Sequence, residues 1–223
     1  MTALKDASAI TGRAAVVHAV LAAAVMAAIA WSSTVGQFGT GAADSLRSIL
    51  GAGDATAVVW SVRLPRIALS LVVGAGLAIA GVALQAVFGN PLAEPGLIGV
   101  SSGAAVGAAA VTVAGGAALP AFLGAAAADW VIAAGAFAGG LAATAIVAAT
   151  ARGNRDIARI ILVGVAVNAV GGGLVAALTF VAGPAARDRI VFWQMGSFAG
   201  GDWTSAAIAA AVTLPGVVVL MAL

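Results

Sequence analysis

The sequence contains no cysteine and no tyrosine, and only 8% of its 223 residues are charged. Without cysteine there is no disulfide framework, no thiolate metal site and no cysteine nucleophile. The single histidine, His18, cannot build a histidine cluster for a metal. No paired acids or nucleophile–base set stands out, which argues against an enzyme. A phosphate-binding loop of the form G-x-x-x-x-G-K followed by Ser or Thr is missing, so the chain does not bind ATP in that usual manner. Soluble domains carry roughly 25% charged residues. So few charges cannot build a soluble surface, and hydrocarbon must be the solvent for much of the chain. The net charge of +2 is too small to suggest a nucleic-acid partner.

What is present is apolar sequence, 63% of the chain, and thirty glycines. A helix that crosses a bilayer needs roughly 20 apolar residues. Six stretches approach this: residues 14–31, 67–88, 96–119, 121–150, 160–182 and 206–223. The expected architecture is all-α, a polytopic transmembrane helix bundle forming a single domain over 1–223. The first apolar stretch is longer than a typical signal-peptide core, and further spans follow it. Residues 32–62 form the longest extramembrane loop, with a short interfacial helix expected over 45–50. Pro65 suits the first turn of the second span, and Gly89-Asn90-Pro91 suits its end. Pro120 is expected to break the third span. Asp129 is placed at an interface, because a carboxylate at the bilayer centre is costly. Gly171, Gly172 and Gly173 make a bend or local unwinding plausible in the fifth span. Residues 183–202 are expected to be a loop, with Trp193 and Trp203 at the membrane–water interface. Asp202 is placed to cap the sixth span, in which Pro215 is a candidate kink. The sequence stops inside apolar residues, so the expectation is a longer natural protein.

Charge alone does not orient the bundle. With the N-terminus inside, Lys5, Arg13, Arg152, Arg155 and Arg159 lie inside, and Arg47, Arg63, Arg66, Arg187 and Arg189 lie outside. By the positive-inside rule this is a tie.

Three motifs carry a resemblance. The first is Arg63-Leu64-Pro65-Arg66, followed after one span by Asn90-Pro91-Leu92-Ala93-Glu94-Pro95-Gly96 and Leu97 to Ala104. The second is Leu162-Val163-Gly164-Val165-Ala166-Val167-Asn168-Ala169. The third is Phe192-Trp193-Gln194-Met195-Gly196-Ser197-Phe198 with Gly200-Gly201-Asp202-Trp203. In order and spacing these resemble the FecCD-type permeases, the membrane subunits of haem, ferric-siderophore and cobalamin ABC importers. The likeness runs from about Trp60 to Trp203. It implies the type II importer permease fold, of which this chain would supply about the first six of ten helices. It also implies a homodimer around a central pathway, a cytoplasmic ATPase dimer that binds the ATP and magnesium, and a substrate-binding protein docking outside. No cofactor is expected on this chain. The N-terminus is then cytoplasmic, in the bacterial plasma membrane, and the residues that contact the ATPase lie beyond residue 223.

The resemblance also suggests roles. Arg63 and Arg66, three apart on one helix face, look like the grip for acidic residues of the docked binding protein, since guanidiniums pair with carboxylates through two hydrogen bonds. Interfacial anchoring by snorkelling is the plainer alternative. Asn90, Pro91, Glu94 and Pro95 form a tight cytoplasmic turn, either a gate-side hinge or a rigid turn that sets packing. Ile157 and Ala158 fall where relatives constrict the pathway, and being apolar they would gate by bulk or dewetting. Asn168, polar at membrane depth, touches either ligand or a neighbouring helix. Arg187 and Arg189 either orient an anionic ligand or anchor at the interface. Gly99, Gly103 and Gly107 form a small-residue stripe for close helix crossing. The ligand expected is haem or a ferric siderophore, with cobalamin as the alternative. A secondary transporter driven by an ion gradient is the competing class. Such carriers place ionisable residues within their spans, and here His18 and Asp129 are almost the only ones.

Overall fold

The computed structural model describes residues 2–34, 41–53, 55–115, 118–151 and 157–222. The polar residues Arg152 to Asp156, and Asp54, lie outside the described residues. Among the described residues ten α-helices follow one another: α1 (Thr2–Thr34), α2 (Ala42–Ile49), α3 (Thr56–Val58), α4 (Leu64–Phe88), α5 (Val100–Gly115), α6 (Ala118–Leu123), α7 (Ala125–Ala151), α8 (Ile157–Val181), α9 (Pro184–Met195) and α10 (Trp203–Ala222). A π-helical turn, Val59–Arg63, joins α3 to α4, and a 3-10 turn, Pro95–Ile98, precedes α5. Every regular element among the described residues is helical.

Among the described residues, five segments are long and apolar enough to cross a membrane: Arg13–Thr34, Thr56–Phe88, Ala127–Thr150, Ile157–Val181 and Trp203–Ala222. Helix α5 is apolar but shorter, with 16 residues. Large apolar side chains point outward along these helices, including Leu77, Phe137 and Leu174. A soluble protein would bury them; a lipid solvent does not require it.

Several sequence expectations shift. The second span is not preceded by a loop up to Val62: helix runs unbroken from Thr56 to Phe88, so Arg63 and Arg66 sit inside it. The third span is interrupted. Gly99 adopts φ +78°, a conformation that favours glycine, and α5 starts only after it. Pro120 does not end that span but lies in the first turn of α6, where its missing N–H costs little. The triple glycine produces no break, since α8 is continuous from Ile157 to Val181. Gly171 is needed for a different reason: a Cβ there would lie 2.9 Å from the Cβ of Ser102. The expected loop over 183–202 contains a 12-residue helix, α9, opened by Pro184 and closed by Gly196 at φ +69°.

The chain divides into two compact units. The first comprises residues 1–74 and 198–216, and the second residues 75–197 and 217–223. Within the second, the tightest crossing is between α5 and α7, and glycine makes it possible. A Cβ on Gly107 would overlap the carbonyl oxygen of Gly135, and one on Gly139 would overlap that of Gly103. Backbones that touch in this way gain dispersion contacts that side chains would prevent, which is how helices associate in lipid. Beside this crossing, Ala109, Val175, Ala182 and Ile190 form a small buried cluster between α5, α8 and α9.

Candidate functional site

In the first unit the arginine pair is split between two tasks. Arg63 is buried, 7% exposed. Its Nη1 donates to the main-chain oxygen of Ser33 at 2.6 Å and to Oγ of Ser45 at 3.1 Å. It thereby ties the end of α1 and the face of α2 to the π-helical turn. Its Nη2 and the buried Oγ of Ser48 make no hydrogen bond. Arg66 is half-buried, and its Nη2 donates to the main-chain oxygen of Ala199.

The π turn has a local cause and a local consequence. Leu64 N–H donates to Val59 O, five residues back, and Pro65 has no N–H to give. The carbonyl of Trp60 is therefore left without a main-chain donor. The indole Nε1–H of Trp203 supplies one at 2.8 Å. The two indole rings lie with centroids 6.4 Å apart. Gly201 packs against Leu69 and Arg66 in the same place. Asp202 caps α10 as its sequence position suggested, accepting from Ser205 N–H at 2.7 Å and Ser205 Oγ–H at 2.6 Å. These two bonds hold its carboxyl below the ordinary value of 3.8.

In the second unit the turn after α4 is built from its own residues. Gly89 takes φ +58° to leave the helix. Asn90 Oδ1 accepts from Leu92 N–H at 2.9 Å, an Asx turn. Glu94 is extended, at φ −138° and ψ 157°, as a residue before proline should be. Leu92 and Glu94 are exposed. Pro95 opens the 3-10 turn, and there Asn168 of α8 meets it: Asn168 Nδ2–H donates to Gly96 O at 2.9 Å. Of the two roles open to Asn168, the observed contact is with a neighbouring element. Ile157 and Ala158 form the first residues of α8 and are exposed.

Arg187 and Arg189 stand on α9 rather than in a loop, and both are exposed. Arg187 turns back on α8, with Nε donating to Thr179 O at 3.2 Å and Nη2 reaching Phe180 O at 3.5 Å and Ala182 O at 3.3 Å. A cation on the last carbonyls of a helix complements its dipole. Arg187 and Gln194 border a groove floored by Gly172, Val175, Thr179 and Phe180. A second cleft, wholly apolar in character, opens between α5, α7 and α8 beside Val106, Ile146, Val163 and Val170. Sequence reasoning missed Ser33 and Ser45 as partners of Arg63 and Gly96 as the partner of Asn168. Trp203 was legible only as an interfacial aromatic, and its contact with Trp60 was not legible at all.

The chain is similar to several known membrane transport proteins. The chain is 37% identical over 164 residues to the hemin transport system permease protein HmuU of Yersinia pestis, covering 73% of this chain and 48% of that one. It is 40% identical over 145 residues to the vitamin B12 import system permease protein BtuC of Escherichia coli, covering 65% of this chain and 42% of that one. A metal-chelate type ABC transporter solved in an inward-facing conformation superposes with a TM-score of 0.64 at 28% identity, covering 84% of this chain and 54% of that chain. The chain thus spans about half the length of these relatives. The profile of the FecCD transport family matches residues 21–223, and with its several apolar helices the chain is a multi-pass membrane protein that belongs to that family.

Proposed function

We propose that this chain forms part of the membrane-spanning permease subunit of an ABC importer that carries haem or a ferric siderophore across the bacterial cytoplasmic membrane. The family match over residues 21–223 carries the reading. The substrate class draws on relatives named for hemin and for metal chelates. Cobalamin is the second reading, supported by the 40% identity to the B12 permease.

The permease performs no chemistry on its cargo. A cytoplasmic ATPase dimer binds ATP and magnesium, and an extracytoplasmic binding protein delivers the ligand. Two copies of the permease flank the pathway, with their N-termini in the cytoplasm. ATP acts through its different affinity for the two states of the dimer, which is the only way a ligand can shift such an equilibrium.

Within this scheme Arg66 receives acidic side chains of the binding protein. Arg63 acts from behind, because its guanidinium already holds Ser33 and Ser45. Ile157 and Ala158 supply apolar bulk at the constriction, and Asn90, Pro91, Glu94 and Pro95 form a turn on the cytoplasmic side. Arg187 and Arg189 on α9 favour an anionic ligand in the groove that Arg187 and Gln194 border.

The test is to capture the binding protein that docks on the complete subunit and titrate it with hemin, ferric siderophores and cobalamin. Selective binding of hemin or a siderophore is expected, and selective cobalamin binding would replace the first reading by the second. Co-purification of an ATPase with the complete subunit separates an importer from an ion-driven carrier.

A further inference from the structure

Three residues on one face of α8 hold the 3-10 turn that follows Glu94. Gly164, Val167 and Asn168 stand at i, i+3 and i+4, so they are neighbours on the helix surface. Gly164 lies so close to Leu97 that a Cβ would overlap the Leu97 carbonyl oxygen, and it would stand 3.2 Å from the Cα of Ile98. Val167 fills the space beside Gly99, where a Cβ would come within 2.6 Å of its Cγ1. Asn168 Nδ2–H donates to Gly96 O at 2.9 Å, and the same oxygen accepts from Gly99 N–H at 3.1 Å. Both lone pairs of that carbonyl are thereby used.

We propose that residues 90–99 and α8 form a single rigid body, with Asn168 as the positioning residue that locks them in register. Gly164 leaves no side chain that could yield, since helix backbone rests directly on turn backbone. A slide of α8 by one turn would bring Ile160 or Asn168 into the slot of Gly164, and neither side chain fits there. The Asn168 amide, released from Gly96, would need another partner, because an unpaired amide in an apolar setting is costly. The contact therefore admits one register and opposes gradual slippage. Resting on the permease reading, the consequence is mechanical: the turn of Asn90 to Pro95 and the start of α8 at Ile157 and Ala158 shift together during transport. They do not act as independent gates.

Two measurements test this. The chain has no native cysteine, so spin labels at Leu92→Cys and Leu162→Cys, both strongly exposed at 83% and 70%, report the turn-to-α8 distance without background. In the assembled importer that distance is expected to stay the same with and without ATP, while a single label at Leu162→Cys in each of two copies shifts. A turn-to-α8 distance that changes with nucleotide overturns the proposal. The second measurement needs no ATPase or transport: amide hydrogen exchange of the chain in lipid nanodiscs. Asn168→Ala is expected to speed exchange at the Gly99 amide by about tenfold or more, and unchanged exchange overturns the proposal. A silent Leu162 pair beside faster Gly99 exchange would count against the permease reading and leave the interlock standing.

Discussion

Arg63 donates from Nη1 to the carbonyl oxygen of Ser33 at 2.6 Å, thirty residues back along the chain, and in doing so leaves the surface. Arg66, three residues on, stays half-exposed. Two arginines that read as equivalent in the sequence therefore differ in what their removal should do. Arg63→Ala is expected to lower stability by about 2 kcal/mol, the range for hydrogen bonds made by a charged donor, and to affect binding-protein affinity only in proportion. Arg66→Glu is expected to cost about 1 kcal/mol of stability, the net worth of its hydrogen bond to Ala199, and to weaken binding-protein association at least tenfold, more at low salt than at high. Parallel melting curves and binding titrations of the two variants check this.

Trp203 satisfies the carbonyl that the π turn and Pro65 together leave open on Trp60. Trp203→Phe keeps an aromatic ring against Trp60 but cannot donate. A loss of about 1 kcal/mol is expected, the net worth of one hydrogen bond. If thermal denaturation of Trp203→Phe matches the parent, ring packing alone holds this contact.

The glycines of the two helix faces should respond in opposite ways. Gly107→Val drives a side chain into the Gly135 carbonyl, and overpacking of this kind costs roughly 1–3 kcal/mol. Gly173 has open space around its Cβ position, so Gly173→Ala should stabilise α8 by about 1 kcal/mol through helix propensity. Melting temperatures of the two variants should fall on opposite sides of the parent.

Asp202 makes stability depend on acid. Ser205, through its hydroxyl and its amide, holds the Asp202 carboxyl below the 3.8 of a free side chain. With the folded value below the unfolded one, the contribution is complete above about pH 3.8 and fades as pH falls through the lower folded value. Melting curves from pH 7 down to pH 3 should show this fall in the parent. Asp202→Asn still caps α10 but no longer titrates, so its curve should be flatter over the same range.

The membrane helices were legible because a bilayer imposes a length of apolar sequence that little else requires. The Asp202 cap and the Asn90–Pro95 turn were legible because their signals are local and chemical. What escaped depends on residues far apart. Nothing near Arg63 announces that Ser33 and Ser45 will enclose it, and the partner of Asn168 lies 72 residues earlier. Helix α9 was missed because Arg187, Asp188 and Arg189 look like a polar loop. Pro184 at its start and Gly196 after its end were the available signs. The triple glycine misled because propensity in isolation ignores packing: Gly171 is kept small by Ser102, and the helix runs on through it.

An importer of this kind takes its energy for transport from ATP and not from an ion gradient. The direct measurement is ligand uptake into proteoliposomes that hold the complete permease with its ATPase, with binding protein and ligand outside and ATP inside. Uptake that needs ATP, needs the binding protein and persists with a protonophore is the result expected. Uptake driven by an ion gradient without the ATPase would contradict the account.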